Sequence, residues 1–538
     1  MRKNKIRKLV SISLAMLTVL SFTACGSSSK KTDTATLKDV SFPLKETATL
    51  KMLTSAPSIS TQDPNERIIF QRLEKETNVH IDWTCYTDDQ FPDKKNLALS
   101  KKDTLPDVVF NAGMNNNDLL RYSKQGVIIP VEDLITKDMP NLSKVLEEKP
   151  EYKKMITAPD GHIYSFPWIE ELGSGKEAIQ AVGDIPWINK KWLDELGLQV
   201  PKTTDELVTV LKAFKDKHPE GKTDVIPMSF IINAVGGNED PGFILGAFGL
   251  GDNGDHYMVN NDKKVVYSTV QDGYKEGIKW LHKLQEEGLI DPEAFTQKWD
   301  TFVAKGKNDR YGMFFTWDRA NVAVNKDDYI PLPALAGPNG TVNATRSNGY
   351  GFDLGRCVVT SANKNLELTA KWIDKLYDPL QSIQDNWGTY GDEKNQNVFE
   401  LTENKTLKHL QLGTASPWEV RANQFVSGPL AVLDSYYGKY TTSPDDAQER
   451  LDILHKTYVK DMKADYNYPP VFMSQEDIEK LTQYETAVKA YTERKKAEWI
   501  LNGGIDEEWD SYLKEMDNQG LSKILEIKQK YLDSYFAK

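Results

Sequence analysis

Short β-forming runs alternate with longer amphipathic segments along most of this chain, and this alternation restricts its fold more than any other feature. The β-forming runs cover residues 49–53, 79–84, 107–110, 128–129, 312–315 and 351–360. A typical segment between them opens with a capping box, Thr203 and Glu206, and continues with an apolar stripe at helical spacing. The alternation predicts an α/β fold. Further helices separated by glycines are predicted over residues 475–501, 507–516 and 522–536.

The first 25 residues have the character of a targeting segment rather than of a folded element. Cationic residues precede an apolar stretch, residues 9–22, that is too short for a comfortable membrane span. Cys25 follows, in a pattern that resembles a bacterial lipobox, although Phe22 stands where Leu is usual. We predict a signal peptide over residues 1–24, then a lipidated Cys25 and a flexible tether over residues 25–40. The alternative is a secreted protein with an incidental cysteine.

Charge and cysteine content exclude several classes of protein. The chain carries 67 Lys and Arg against 79 Asp and Glu, a formal charge of −12, so no basic surface for nucleic acid is expected. Cys25, Cys85 and Cys357 form neither a disulfide framework nor a zinc-type spacing. Residues 173–176 lack the P-loop spacing, and residues 349–355 miss the dinucleotide fingerprint. We therefore expect no cofactor and no nucleic-acid partner.

Neither the acidic residues nor the histidines carry a catalytic signature. Adjacent carboxylates such as Glu170 and Glu171 are common in a chain with 79 acidic residues. A glycosidase needs two carboxylates at a defined separation across a cleft, which spacing along the chain does not reveal. The seven histidines form no metal-ligating group, and the chain contains no Gly-x-Ser-x-Gly elbow. We predict a protein that is not an enzyme.

Several segments together carry a family resemblance. Residues 188–198 read Ile-Asn-Lys-Lys-Trp-Leu-Asp-Glu-Leu-Gly-Leu and are followed closely by Val200-Pro201. The further matching segments are residues 204–207, 274–277, 287–293, 332–340 and 503–521. These segments resemble the extracellular solute-binding proteins of family 1, in the larger lipoprotein branch that serves carbohydrate ABC importers.

The resemblance implies a two-lobed, periplasmic-binding-protein-like clamshell of type II, with crossing hinge segments and a helical C-terminal region. The implied body covers residues 41–538, with lobe 1 approximately 45–165 plus a segment near 320–380, lobe 2 approximately 186–315 plus 385–500, and C-terminal helices over 505–538. It also implies a monomer that captures an oligosaccharide and delivers it to ABC permease subunits. The only contact with the cell membrane would be the lipid anchor, on the extracellular side.

Ligand-binding residues are expected where strands end, because ligands of open α/β sheets lie outside the carboxyl ends of the strands. Residues 55–63, 111–115 and 316–321 are such ends. Sugars pair flat aromatic platforms with amide and charged groups. The candidate ligand-binding residues are Trp317, Asp318, Arg319, Trp418, Trp168, Tyr350 and Asn111. Trp317 ranks first, because it follows a predicted strand and adjoins an acceptor and a fork of donors.

A metal site is not expected. Some family members that bind uronic-acid polymers carry an EF-hand-like calcium loop after the capped helix. Here the corresponding residues 216–227 are shorter, lack the Asn ligands and carry Val225 in place of the final Glu. Calcium takes six to eight oxygens, and this segment offers about three or four from its side chains. We predict a solvated turn.

The predicted function is the capture of an oligosaccharide for an ABC importer, without chemistry. The first alternative is a surface-anchored glycoside hydrolase. The second is a lipoprotein of the same fold that binds peptides or other small solutes. A third is a surface protein that only adheres to polysaccharide.

Overall fold

The computed structural model describes residues 37–173, 178–234, 238–413, 415–463 and 466–537. The predicted signal peptide, Cys25 and most of the predicted tether lie outside these residues. At the start of the described chain, Leu37 N–H donates to Asn365 Oδ1 at 3.0 Å and Val40 N–H donates to Glu367 Oε1 at 2.8 Å. The end of the predicted tether is therefore docked on the folded body.

Strands and helices alternate as predicted. The strands are β1 Ala48–Ala56, β2 Val79–Thr87, β3 Val108–Val109, β4 Phe166–Glu170, β5 Ile185–Asn189, β6 Ile226–Ser229, β7 Tyr257–Val259, β8 Val265–Tyr267, β9 Tyr311–Thr316, β10 Tyr329–Pro331, β11 Phe352–Val359, β12 Phe399–Leu401, β13 Leu407–His409 and β14 Leu430–Val432. The α-helices are α1 Ile68–Thr77, α2 Phe91–Leu99, α3 Asn116–Lys124, α4 Glu132–Asp138, α5 Pro140–Glu148, α6 Pro150–Ile156, α7 Lys190–Glu195, α8 Thr204–Lys217, α9 Asp272–Glu286, α10 Trp299–Lys307, α11 Leu366–Lys375, α12 Pro379–Trp387, α13 Pro417–Ala422, α14 Asp445–Ile453, α15 Gln475–Asn502, α16 Ile505–Asn518 and α17 Leu521–Phe536.

The first sheet has six strands in the order β14-β4-β11-β3-β1-β2. β1 pairs in parallel with β2 and β3, whereas β11 is antiparallel to both β3 and β4. The carboxyl ends of β1, β2, β3, β4 and β14 therefore meet at one edge, where ligands of such sheets bind. Its core includes Leu50, Met52, Val108 and Val109, all buried.

One predicted strand of this region is wrong. Ile128 makes only a single antiparallel bridge, to Thr360, and Ile129 belongs to no strand. The physical reason is the residue that follows, because Pro130 has no N–H to donate to a ladder. Two residues later the chain enters α4 at Glu132.

The second sheet has four strands in the order β10-β5-β9-β6. β9 pairs antiparallel with β5 and parallel with β6, and all its residues are buried, as expected for a central strand. α8 packs against β6, and the capping box of that helix is confirmed. Thr203 Oγ1 accepts from Glu206 N–H at 3.1 Å, and the Glu206 carboxylate accepts from Lys202 N–H at 2.7 Å.

Long connections run between the two sheets. Residues 171–184 lead from β4 to β5, and residues 332–351 lead from β10 to β11. Residues 433–444 lead from β14 to α14. Ile453, the last residue of that helix, and Leu454 directly after it pack in the core of the second sheet. These are the crossing segments expected of a hinged fold.

The end of the chain is helical, as predicted. α15 packs against α9 beside the second sheet and against α17. Near its N-terminus α15 contacts α3, the helix that follows β3 of the first sheet. There the Asn117 side chain donates to the Thr482 hydroxyl. Trp499 and Tyr512, each 1% exposed, fill the contact between α15 and α16. In the described part of the chain, none of the helices combines the length and apolar character needed to cross a membrane.

Candidate functional site

Polar residues meet at the carboxyl edge of the first sheet. Asn111, directly after β3 and Phe110, donates from Nδ2 to Ser55 Oγ at 2.8 Å. Its Oδ1 accepts from Arg356 Nη1 at 2.7 Å. The Arg356 guanidinium lies 5.7 Å from the Trp168 ring centroid and pairs with Asp353 at 3.0 Å. The structure thus brings together Asn111 and Trp168, two predicted site residues, through an arginine that the sequence did not single out.

A buried carboxylate lies next to this group. Trp168 Nε1–H donates to Asn386 Oδ1 at 3.2 Å, and Asn386 Nδ2 donates to Glu170 Oε2 at 2.6 Å. Glu170 Oε1 accepts from Tyr437 Oη–H at 2.8 Å, and Tyr437 Oη accepts from Trp387 Nε1–H at 3.0 Å. Burial raises the pKa of Glu170 to about 8, although its hydrogen-bond donors act in the opposite direction.

Trp387 has a charged neighbour on its ring. The Arg421 guanidinium lies 5.0 Å from the ring centroid and forms two hydrogen bonds to Asp446, each 2.7 Å long. Arg421 Nη2 also lies 3.3 Å from His409 Nε2, and burial, with this guanidinium beside it, lowers the pKa of His409 to about 4. Half-buried aromatic rings with paired charges beside them can hold an uncharged, amphipathic ligand.

Trp317 stands directly after β9, at the carboxyl edge of the second sheet. It is half-buried, and together with Trp387 and Tyr437 it packs against a small apolar cluster of Leu172, Ile179 and Ala447. The highest-ranked candidate from the sequence is therefore next to the group at the first sheet. Its role in ligand binding stays a prediction.

Arg450 of α14 covers one face of Trp317. Its guanidinium carbon lies 3.3 Å from the ring centroid, and Nη1 donates to the Trp317 carbonyl oxygen at 2.6 Å. The remaining donors reach the crossing segment, at the carbonyls of Ile179 (3.2 Å) and Val182. Arg450 is 4% exposed, and burial lowers its pKa to about 9. A ligand that stacks on Trp317 must use the opposite face of the indole.

Asp318 and Arg319 are engaged by the fold. Asp318 Oδ1 accepts from Ala320 N–H at 2.8 Å and so caps a short 3-10 turn, and burial raises its pKa. Arg319 donates to Glu449 at 2.7 Å, and its guanidinium stacks over Trp187 at 4.8 Å. Both residues stay predictions as ligand contacts, and binding through Arg319 would have to share a guanidinium that already has a carboxylate partner.

Trp418 and Tyr350 lie at two further places. The backbone N–H of Trp418 and the Ser416 hydroxyl both donate to Asn321 Oδ1, at 3.3 Å and 2.8 Å. This contact joins α13 to the turn that follows Trp317. Tyr350 donates its hydroxyl to the Asn467 carbonyl oxygen at 3.1 Å, and burial raises its pKa. Ligand contact stays a prediction for both.

Sequence reasoning missed several residues that the structure places in this candidate site. They are Arg356, Asn386, Trp387, Tyr437, Arg421 and Arg450. Trp387, at the end of α12, offered the only local signal, as a tryptophan at an element end. The others are polar residues on ordinary helices, strands and loops, far from each other along the chain, so no local pattern distinguishes them.

The segment compared with a calcium loop is held by lysines. Lys222 Nζ lies 2.9 Å from Glu220 Oε2 and 2.6 Å from Asp309 Oδ2, and Lys191 also pairs with Glu220. Burial tends to raise the pKa of Glu220, but hydrogen bonds from Lys191, Lys222 and Trp192 lower it to about 2. Among the described residues, no group of three or more His, Cys, Asp or Glu is arranged to hold a metal ion.

The family follows from comparison with known proteins. Residues 59–380 match the family model described as bacterial extracellular solute-binding protein. The chain belongs to that family. The resemblance seen in the sequence is thereby confirmed, and family membership agrees with the expected location outside the cell.

A relative that matches nearly the whole chain is named for fructooligosaccharides. The chain is 54% identical over 538 residues, 99% of its length and 98% of the relative, to the fructooligosaccharide ABC transporter substrate-binding protein FusA of Streptococcus pneumoniae serotype 4. A solved structure of S. pneumoniae FusA in complex with kestose has 56% identity, covers 91% of this chain and 99% of its own, and has a TM-score of 0.88. A FusA EF-hand mutant in complex with fructo-nystose has the same values.

These similarities confirm the fold prediction, a type II solute-binding clamshell. The named relatives are substrate-binding proteins of a transporter, a class that is not enzymatic. An EF-hand is named for FusA. In this chain, residues 216–227 do not fit calcium, because ammonium groups already occupy the Glu220 carboxylate and its neighbour Asp309.

Proposed function

We propose that this protein captures fructooligosaccharides outside the cell and delivers them to an ABC importer. The observation that carries the proposal is the 54% identity to FusA, which extends over 99% of the chain. Closure of the two sheet regions around a sugar would create the surface that the permease recognises, and the ligand shifts the equilibrium toward the closed state. The lipid anchor at Cys25, the permease partners and the monomeric state belong to this proposal.

The chemistry of the candidate site supports an uncharged sugar. Arg356, Arg421 and Arg319 each have a carboxylate partner within 3.0 Å, so none offers an uncompensated charge to a uronate. Half-buried Trp168, Trp387 and Trp317 supply the flat apolar surfaces that the C–H faces of a sugar ring need. Amide groups such as that of Asn111 supply donors and acceptors for hydroxyls.

Titration calorimetry of the purified protein tests the proposal. Kestose and nystose should bind, while maltotriose and digalacturonate should not. Prolonged incubation with kestose followed by chromatography should recover the sugar intact, because the proposed function is capture without chemistry. Release of fructose would favour the hydrolase alternative. If the protein binds peptides but not kestose, the alternative of a lipoprotein for other solutes is favoured. If it binds only polysaccharide, the alternative of an adhesive surface protein is favoured.

A further inference from the structure

Trp168 and Trp387 lie 219 positions apart in the chain, yet the indole N–H of each is linked to the same carboxylate. Each link runs through a different hydrogen-bonding residue. We propose that Glu170 is a positioning residue that sets the orientation of both indole rings at the ligand site. The connection is called the Glu170 relay, and it consists of Trp168, Asn386, Glu170, Tyr437 and Trp387. The part of the proposal that concerns sugar affinity rests on the proposed function.

Each arm of the relay has one possible direction. An indole N–H only donates, so Asn386 must present its oxygen to Trp168 and its amino group to Glu170, at 3.2 Å and 2.6 Å. The hydroxyl of Tyr437 accepts from Trp387 at 3.0 Å and has its own proton left to donate to Glu170, at 2.8 Å. Both arms therefore need an acceptor at their common end, and Glu170 provides two when its carboxyl group is ionised.

Glu170 itself is held firmly. It is 4% exposed and ends β4, where its N–H donates to the Gly351 carbonyl at 2.8 Å. Gly351 has φ +66°, and a Cβ there would overlap the Glu170 carbonyl oxygen, so the close approach requires glycine. Glu170 Oε1 also accepts from Leu172 N–H at 2.7 Å. With its oxygens engaged by groups of the fold, Glu170 acts through the rings and not on the ligand.

The relay also connects with the crossing segment. Leu172 is the second residue after Glu170, and it packs in the cluster that contacts Trp317, Trp387 and Tyr437. Rings fixed before the ligand arrives avoid the free-energy cost of ordering them on binding. The relay thus preorganises the platforms in the ligand-free protein.

Glu170→Gln breaks the relay at nearly constant volume. If the new amino group replaces Oε2, the Asn386 amide must flip so that its oxygen accepts from this group. The Asn386 amino group then faces the Trp168 indole N–H, and both of these groups are donors. If the amino group replaces Oε1, it faces the Leu172 N–H instead. In either orientation one donor loses its acceptor. The double variant Glu170→Gln, Asn386→Asp restores the pattern, because the new carboxylate accepts from both Gln and indole.

Two measurements on the purified protein test the proposal. Heteronuclear NMR of the ligand-free protein at pH 9, where Glu170 is ionised, should show shifted indole N–H resonances for Trp168 and Trp387 in Glu170→Gln and their return in the double variant. Calorimetry with kestose at the same pH should show affinity reduced about tenfold in Glu170→Gln, the equivalent of one lost buried hydrogen bond, and largely recovered in the double variant.

Glu171→Gln is the matched control. Glu171 is also 4% exposed, but it pairs with Lys149 at 3.0 Å and Tyr152 at 2.8 Å, outside the relay. The indole N–H resonances of Glu171→Gln and its affinity for kestose should match those of the unchanged protein. Unaltered indole resonances in Glu170→Gln, or a folded double variant without recovery, would overturn the proposal. If the unchanged protein does not bind kestose, the proposed function fails, and the NMR result still decides for or against the relay.

Discussion

A tryptophan at a strand end can serve the fold or the ligand, and Trp317 has contacts that suit both roles. Arg450 stacks on one face of its indole at 3.3 Å, and the ring also meets the apolar cluster around Leu172. The residue is nevertheless only half-buried, unlike Trp187 in the neighbouring strand, which is 2% exposed. A ring held by an arginine on one side with surface left over is suited to stacking on a sugar.

Trp317→Ala should weaken kestose binding by roughly ten- to hundredfold, taking the scale of about 1–3 kcal/mol known for nucleic-acid bases stacked on aromatic side chains. Calorimetry measures this directly. Trp299→Ala is the control, because Trp299 is also half-buried beside the second sheet but packs in its core. Unchanged affinity of Trp317→Ala together with a large fall in Tm would make Trp317 a core residue.

The raised pKa of Glu170 predicts a pH-dependent stability. Its pKa of about 8 in the folded protein exceeds the ordinary glutamate value of 4.5, so folding takes up a proton between these values. The stability it contributes is complete below about pH 4.5 and is lost as the pH rises through about 8, by up to ~1.4 kcal/mol per pH unit.

Urea unfolding of the unchanged protein and Glu170→Gln at pH 5 to 9 measures this loss. The difference in unfolding free energy between the two proteins should move in favour of the variant as the pH rises. Other titrating groups are common to both proteins and cancel. A difference that stays constant over this range would contradict the prediction.

At the scale of an element, the turn after α8 pairs its carboxylates with lysine and arginine side chains. Lys222 bridges Glu220 and Asp309, which come from two segments beside the second sheet. Asp224 in the same turn pairs with Arg310 at 2.9 Å. The carboxylates of the turn are thus already neutralised by groups that the chain itself supplies.

Two effects should follow from this arrangement. Lys222→Met should lower the free energy of unfolding by about 1–2 kcal/mol, because two partly buried carboxylates lose their shared donor. The exposed Lys217, at the end of α8, offers the control Lys217→Met, which should have little effect. Calcium or a chelator should leave the Tm of the unchanged protein where it is. A rise in Tm with calcium would refute the arrangement, as would equal effects of the two substitutions.

At the scale of the whole molecule, the proposed attachment to the membrane is the lipid anchor at Cys25. Among the described residues, every helix is too short or too polar to cross a membrane. Cys25→Ser should block lipidation and release the protein into the medium or leave it unprocessed. Fractionation of cells into membrane and medium measures the outcome. Cys85→Ser, on β2, should stay with the membrane. Equal membrane association of Cys25→Ser and the unchanged protein would exclude the anchor.

Strands, helices and family were accessible from the sequence because each leaves a local pattern. β9 is a continuous apolar run, and α8 shows a capping box and a stripe. The three C-terminal helices are separated at Gly503-Gly504 and Gly520, where positive φ values favour glycine. The strand predicted at Ile128 and Ile129 was wrong because two apolar residues do not indicate whether a neighbouring strand is available to pair with them. Pro130, which has no N–H, also limits pairing there.

By itself, the sequence predicted the α/β class and the family, and it favoured an oligosaccharide importer over a hydrolase or a lipoprotein for other solutes. Only the tertiary structure decided that Trp168 and Trp387 share one carboxylate and that Arg450 covers Trp317. Local periodicity reports which face of an element is buried. The partner of a polar group is instead set by how the sheets and crossing segments pack, and residues such as Glu170 and Tyr437 come from segments 267 positions apart.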